Sequence, residues 1–307
     1  MRNRDAPLVA RQQLQGAYVL LTFRHPEVAG EARPGQFVMI KAGTSAELPL
    51  RRPFSIMAVD PAEDLFTLFL KVVGAGSRAL IALEPGEPAQ CLGPLGRPFE
   101  PPPPGAEALM VAGGYGIAPF RMLAAELARR GRRGRVFYGG RTRLDLQQRE
   151  PFAALGVPLH PATEDGSLGH KGLVTELVEA HLDSASATVA LYACGPEAML
   201  QAVASIAERR GLPAQLSLDP WMGCGIGTCL GCVVRIQEPE QPQPRYRCAC
   251  TEGPVFDARV VVWSGEDAST ARRQRLGSPQ RSLASDTAAG STPALVLDDE
   301  KAERGRQ

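Results

Sequence analysis

From about residue 6 to residue 100 the apolar positions fall in short runs, Tyr18 to Phe23, Gln36 to Lys41, Phe54 to Val59 and Leu65 to Val73. Pro34-Gly35, Asp60-Pro61 and Pro85-Gly86 punctuate them. Short runs bounded by turn formers read as strands, and in succession they close most simply into a small antiparallel barrel. Pro101 to Pro104 with Gly105 then form a stiff extended spacer. Beyond it the period changes. Leu109 to Ala112 is a short buried strand, and Phe120, Leu123 and Leu127 recur at helical spacing until Gly131. Arg135 to Tyr138 and Val189 to Tyr192 read as further strands, Gly172 to Ala180 and Pro196 to Arg209 as helices. Alternation of strand and helix predicts a parallel sheet with helices on its faces.

Near the C-terminus Cys224, Cys229 and Cys232 are followed, after a proline-broken interval, by Cys248 and Cys250. This is the C-x4-C-x2-C…C spacing of a plant-type [2Fe–2S] ligand set. Gly225, Gly227 and Gly231 remove the Cβ atoms that would obstruct a chain wrapped round an inorganic core. A structural zinc site is the competing reading, but a glycine-rich x4 interval suits a cluster loop better than the C-x2-C pairs of a zinc ribbon. Five cysteines compete for four places. If residues 248–250 are extended, Cys248 and Cys250 point to opposite sides and only one faces the metal.

The pattern thus predicts a multidomain α+β and α/β chain. Its parts are an antiparallel β-barrel over 1–102, a parallel-sheet α/β domain over 103–215, a small [2Fe–2S] module over 216–265 and a disordered tail over 266–307, where large apolar residues are few. A net charge of +1 gives no general attraction to nucleic acid, and Arg129, Arg130, Arg132, Arg133 and Arg135 read as a solvated helix end. No apolar run approaches the about 18 residues of a membrane span, and Met1 to Asp5 lead into no signal-peptide core, so the expected location is the cytoplasm. Seven cysteines, an odd and clustered set with Cys91 and Cys194 standing apart, fit metal ligands plus buried thiols rather than a disulfide framework.

Several segments suit nucleotide binding. Arg51, Arg52, Pro53, Phe54 and Ser55 place two guanidinium groups and a hydroxyl at a strand start; alone they are no more than an exposed basic pair. Gly74, Ala75, Gly76 and Ser77 form a glycine-rich turn able to bring amides near a pyrophosphate, and Gly93-Pro94-Leu95-Gly96 is a second tight turn. Gly113, Gly114, Tyr115, Gly116, Ile117, Ala118 and Pro119 lie between a strand and a helix, where glycines admit a ligand and a helix N-terminus favours a pyrophosphate. Proline at 119 breaks the standard G-x-G-x-x-G fingerprint. Cys194, Gly195 and Pro196 end the third strand; Cys194 is either near a ligand or simply a buried thiol. Thr163 to Ser167 and Gly169 to Gly172 are loop-like, and His25, His160, His170 and His181 form no triad or metal spacing.

In this order, barrel, nucleotide domain and terminal cluster resemble the electron-transfer subunits of type-B dihydroorotate dehydrogenase, within the ferredoxin reductase superfamily. The resemblance covers about residues 7 to 265 and rests most specifically on Met222 to Cys232 with Cys250 to Phe256. It implies cluster ligands Cys224, Cys229, Cys232 and Cys250, with Cys248 extra. It also implies FAD held by Arg52, Pro53, Phe54 and Ser55 and by the Gly74 to Ser77 segment, and NAD approaching from Gly114, Gly116, Ile117, Ala118 and Pro119 with Cys194, Gly195 and Pro196. Phe54 stands where the superfamily often has tyrosine, so it can stack but not hydrogen-bond. By the resemblance, dihydroorotate is oxidised at FMN in a separate catalytic subunit, in a heterotetramer of two of each chain. Electrons then pass by way of the cluster and FAD to NAD+, in pyrimidine biosynthesis. No acid–base constellation for substrate oxidation is visible in this chain, in keeping with that division. Arg141 and Arg143 leave NAD against NADP open. Two other functions fit the same parts, a freestanding NAD(P)H reductase serving ferredoxin or sulfur and a zinc-stabilised nucleotide-binding regulator.

Overall fold

A computed structural model describes residues 2–43, 48–184, 187–238, 241 and 243–263. The expected disordered tail over 266–307 lies outside the described residues. Residues 2–95 form a closed six-stranded antiparallel barrel of order β1-β2-β5-β4-β3-β6. Its strands are β1 (Arg2–Gln13), β2 (Tyr18–Arg24), β3 (Phe37–Ala42), β4 (Arg52–Asp60), β5 (Leu65–Lys71) and β6 (Pro88–Leu95), with helices α1 (Pro26–Glu31) and α2 (Ala75–Ile81). Alternate side chains, among them Val19, Leu21, Phe23, Ile40, Ile56, Phe66 and Leu68, fill the interior completely.

Two segments depart from the turns expected of them. The Gly74 to Ser77 segment is not only a turn, because Gly74 caps α2 and Ala75 begins it. The Ser77 hydroxyl accepts the Val73 and Gly74 amides, each at 3.1 Å, which winds the chain into the first helical turn. Gly93 to Leu95 likewise belong to β6, whose pairing with β3 slips between Phe37↔Leu95 and Met39↔Leu92. An extra residue there bulges the strand, which gives a G-P segment the look of a turn.

The second sheet has seven strands in the order β10-β9-β8-β7-β11-β12-β15. They are β7 (Glu107–Gly113), β8 (Gly134–Gly140), β9 (Leu159–Thr163), β10 (His170–Lys171), β11 (Val189–Cys194), β12 (Ala214–Ser217) and β15 (Val255–Asp257). Between them run α3 (Ala118–Arg129), α4 (Glu150–Ala154), α5 (Val174–Ser184) and α6 (Glu197–Arg210), and the hairpin β13 (Val233–Ile236) and β14 (Arg245–Cys248) precedes β15. All pairings but the last are parallel. Leu109 and Val111 pack in one buried layer, Ala108, Met110 and Ala112 in the other, so β7 is apolar throughout as a strand covered on both faces must be. The cysteine-rich segment is tied to this sheet: β15, which follows Cys250, is its antiparallel edge strand.

The arginine run is only partly solvated. Arg132 donates to the Pro102 carbonyl at 2.7 Å and also to that of Pro103, pinning the proline spacer, and Arg135 joins Glu107 at 3.2 Å and His160 at 3.0 Å. Burial lowers the pKa of His25, His160 and His181, aided at the latter two by the charge of Arg135. Groups lowered in the folded state take up protons on unfolding, so their contribution to stability is full above the unfolded value near 6.5 and is lost as pH falls below it. The thermal midpoint, followed by circular dichroism, is therefore expected to rise between about pH 5 and about pH 6.5 and then to level. A midpoint that falls across that window would contradict the assignment.

Candidate functional site

The strand order makes the carboxyl ends of β7 and β11 a crevice. From β7 the chain proceeds outward through β8, β9 and β10, then returns to β11 on the other side of β7, which is a topological switch point where open α/β sheets bind ligands. Two segments singled out in the sequence meet there. A Cβ at Gly116 would lie 2.2 Å from the Cys194 carbonyl oxygen, and one at Gly113 would lie 2.5 Å from Pro196 Cδ. The turns after β7 and β11 thus touch backbone to backbone, and only glycine permits it. Cys194 is itself buried, with burial pushing its thiol up to about 12. The part of it that meets the Gly116 turn is its carbonyl group.

The two barrel segments meet in the same way. Arg52 crosses α2, so that a Cβ at Gly76 would lie 3.0 Å from Arg52 Cγ and Nε. Arg52 is held by a bond to the Leu50 carbonyl at 2.5 Å, and Arg52 through Ser55 remain half-buried along β4 where Ile56 and Met57 are fully buried. A strip of open strand beside a glycine-lined helix start is a cradle of the kind a dinucleotide needs. Ser77 is excluded as a hydroxyl donor to ligand, because its Oγ donates to the Gly74 carbonyl at 2.9 Å.

In the cysteine loop, backbone amides are aimed at sulfur. Cys224 Sγ accepts from Ile226 at 3.4 Å and Cys229 at 3.5 Å, Cys229 Sγ from Gly231 at 3.5 Å, and Cys250 Sγ from Gly227 at 3.2 Å. Burial pushes the Cys224 thiol up, but the amides of Cys229 and Ile226 outweigh it and bring the group down to about 6. Amides that favour thiolate are what iron ligation needs.

The extended-strand expectation for Cys248 and Cys250 fails. The chain turns after Cys248, with Thr251 and Glu252 amides on the Cys248 carbonyl at 3.1 and 2.8 Å. Both thiols consequently reach the Gly227 peptide, Cys250 Sγ accepting from its amide at 3.2 Å and Cys248 Sγ donating to its carbonyl at 3.9 Å, while Ala249 between them is buried in the core.

The loop also sits on the barrel. Gly225 has φ +78°, and a Cβ there would be 2.5 Å from Met39 Cγ. Met39 pairs with Pro53 in the β3–β4 ladder, so one residue separates the cysteine loop from the flavin-binding strand proposed by the sequence. At the other end Gly96 packs on Gly253 and Pro254, and Arg97 donates to the Gly253 carbonyl at 2.5 Å.

Two regions of the chain match known families. Residues 110–205 match the oxidoreductase NAD-binding domain, and residues 219–262 match the iron–sulfur cluster binding domain of dihydroorotate dehydrogenase B. The chain is 37% identical over 259 residues to the dihydroorotate dehydrogenase B (NAD(+)) electron transfer subunit of Desulforamulus reducens, covering 84% of this chain and 98% of that one. With the corresponding subunit of Bacillus caldolyticus it shares 39% over 265 residues, covering 85% and 100%. This chain belongs to the dihydroorotate dehydrogenase B electron transfer subunit family. It is thus an oxidoreductase electron-transfer subunit, and neither the freestanding reductase nor the zinc-stabilised regulator is favoured.

Among solved structures, an NADH-dependent reduced ferredoxin-NADP oxidoreductase studied for flavin-based electron bifurcation aligns with a TM-score of 0.77 at 29% identity, covering 88% of this chain and 94% of that one. The cytochrome b5 reductase domain of Ulva prolifera nitrate reductase, at 21% identity, 69% and 94% coverage and a TM-score of 0.58, shares the fold. The cofactor set that fits such a chain is FAD, [2Fe–2S] and NAD. No described helix is long and apolar enough to cross a membrane.

One feature of the family member's crevice has no local sequence signal. Tyr18 Oη donates to Asp145 Oδ1 at 2.8 Å, and Lys71 Nζ to the same oxygen at 3.1 Å, joining barrel strands β2 and β5 to the loop after β8. Burial pushes Asp145 up, but these two donors outweigh it and hold the carboxyl below its usual value. Asp145→Ala strands the partly buried phenol and ammonium, and is expected to cost about 1–3 kcal/mol in urea unfolding. Stability within the error of wild type would show the contact to be idle.

Proposed function

We propose that this chain carries electrons between a dihydroorotate-oxidising, FMN-containing catalytic subunit and NAD+, in a cytoplasmic heterotetramer of two of each subunit. The contact of Gly225 with Met39, the ladder partner of Pro53, is the observation that carries the reading, since it sets the cysteine loop against the flavin strand. Cys224, Cys229, Cys232 and Cys250 are the proposed cluster ligands. Arg52, Pro53, Phe54 and Ser55 with Gly74, Ala75, Gly76 and Ser77 hold FAD, and Gly114, Gly116, Ile117, Ala118 and Pro119 with Cys194, Gly195 and Pro196 receive NAD. When bound, a flavin exchanges a hydride with nicotinamide and single electrons with an iron–sulfur centre.

The residues then have distinct duties. Arg52, held over Gly76, offers its guanidinium to a phosphate, while Phe54 offers a ring face. The Gly113–Gly116 turn, packed closely on Cys194 and Pro196, borders the crevice at the start of α3, where the helix N-terminus attracts a pyrophosphate. The amides of Ile226, Gly227, Cys229 and Gly231 stabilise negative charge on sulfur. For the partner, support comes from Trp221, Ile226 and Leu230, large apolar side chains left exposed on the same loop as the exposed Cys229. A cluster of this kind at a surface suits protein docking.

The protein purified without oxygen is expected to contain about one FAD and about two irons per chain. The functional test is co-expression with the genome's dihydroorotate-oxidising flavoprotein, followed by dihydroorotate-dependent NAD+ reduction by the co-purified complex. Absence of a complex together with efficient reduction of free ferredoxin would transfer the chain to the freestanding reductase class.

A further inference from the structure

The cysteine site holds five thiols, not four. The turn after β14 brings Cys248 and Cys250 to the same backbone unit of the loop, that of Gly227. Gly227 touches both: its amide donates to Cys250 Sγ at 3.2 Å, and its carbonyl accepts from Cys248 Sγ at 3.9 Å. The turn is fixed independently of any metal. The Cys248 amide donates to Glu252 Oε2 at 3.0 Å, and Ala249 donates to the Cys232 carbonyl at 3.0 Å. Arg247 at 2.8 Å holds the other Glu252 oxygen. The position of Cys248 therefore belongs to the fold, and its sulfur shares the Gly227 peptide with that of Cys250. The other end of the site has no such spare: among the described cysteines, Cys91 and Cys194 are buried in the barrel and in the α/β sheet.

We propose that Cys248 is a reserve ligand, which takes the place of Cys250 on iron when the Cys250 bond is lost and slows release of the metal from this side. The proposal rests on the cluster reading above. In the exchange the iron–sulfur bond to Cys250 breaks and that sulfur takes up a proton. A bond to Cys248 forms as its thiol gives one up. No electron is transferred, and no further reactant is needed.

The test uses the full chain purified without oxygen, with iron, acid-labile sulfide and flavin analysis and EPR after dithionite. Alanine is used because serine can itself bind iron. Cys250→Ala is expected to keep about half or more of the wild-type iron, with altered g values, while Cys248→Ala keeps the wild-type spectrum. The double variant and Cys229→Ala, which have no spare thiol to call on, should fall to about a tenth or less while retaining flavin. Iron lost from Cys250→Ala as completely as from the double variant overturns the proposal. Should Cys250→Ala fail to fold, Cys248→Ala decides the matter by its rate of iron release to a chelator, expected at roughly tenfold the wild-type rate. An unchanged rate overturns the reserve role. Wild-type protein without iron or sulfide would instead remove the cluster reading itself.

Discussion

Cys229→Ala is expected to lower dihydroorotate-dependent NAD+ reduction by at least about 100-fold, while NADH oxidation by an artificial dye stays within about twofold of wild type. The two activities part because they use different portions of the chain. Cys229 is exposed on the cysteine loop and is not among the residues that meet at the β7–β11 crevice or in the Arg52–Gly76 cradle. Its loss removes a sulfur that no other thiol can replace, yet it disturbs no buried packing. Dye reduction needs only nicotinamide and flavin sites, so it survives. A parallel loss of both activities would mean that the loop supports the flavin domain structurally and that the two activities are not divided between loop and nucleotide sites.

Gly116→Ala is expected to raise the KM for NAD+ by about tenfold or more, corresponding to roughly 1–3 kcal/mol of overpacking. The added Cβ would meet the Cys194 carbonyl oxygen at 2.2 Å, its carbon at 2.6 Å and the Gly195 nitrogen at 2.9 Å. All three atoms are backbone, so no side-chain rotation relieves the clash. Strand β11 is in register with β7 through Cys194↔Ala112, and the turn must therefore open at the mouth of the crevice. Iron content should be unchanged. A variant with wild-type KM would separate Gly116 from nicotinamide nucleotide binding.

Much of this was legible in the residue pattern because period and punctuation are local. The change from short strands to strand–helix alternation at Pro101 to Pro104 marks where barrel gives way to sheet, and the C-x4-C-x2-C spacing marks the cysteine loop. What escaped depends on contacts distant in sequence. Strand β1 closes the barrel although its twelve residues are mostly polar, since its pairing is dictated by β2 and β6. Met39 reads as one more core residue of β3, and only the fold sets it under Gly225. Tyr18 and Asp145 stand 127 residues apart. The orientation of Cys248 failed for a different reason: period-two reasoning assumes that the strand continues, whereas the Glu252 side chain and two amides turn the chain at that residue. The G-P segment at Gly93 failed through a bulge, which looks like a turn in one dimension.

The function proposed for this chain requires electronic communication between the nucleotide crevice and the cysteine loop. Anaerobic addition of NADH to the purified, flavin-loaded chain, followed by low-temperature EPR, measures it directly. The expected result is the signal of a reduced [2Fe–2S] centre, matching in intensity the iron found by analysis and disappearing in Cys229→Ala. A flavin that bleaches with NADH while an intact cluster remains EPR-silent, though reducible by dithionite, would contradict it.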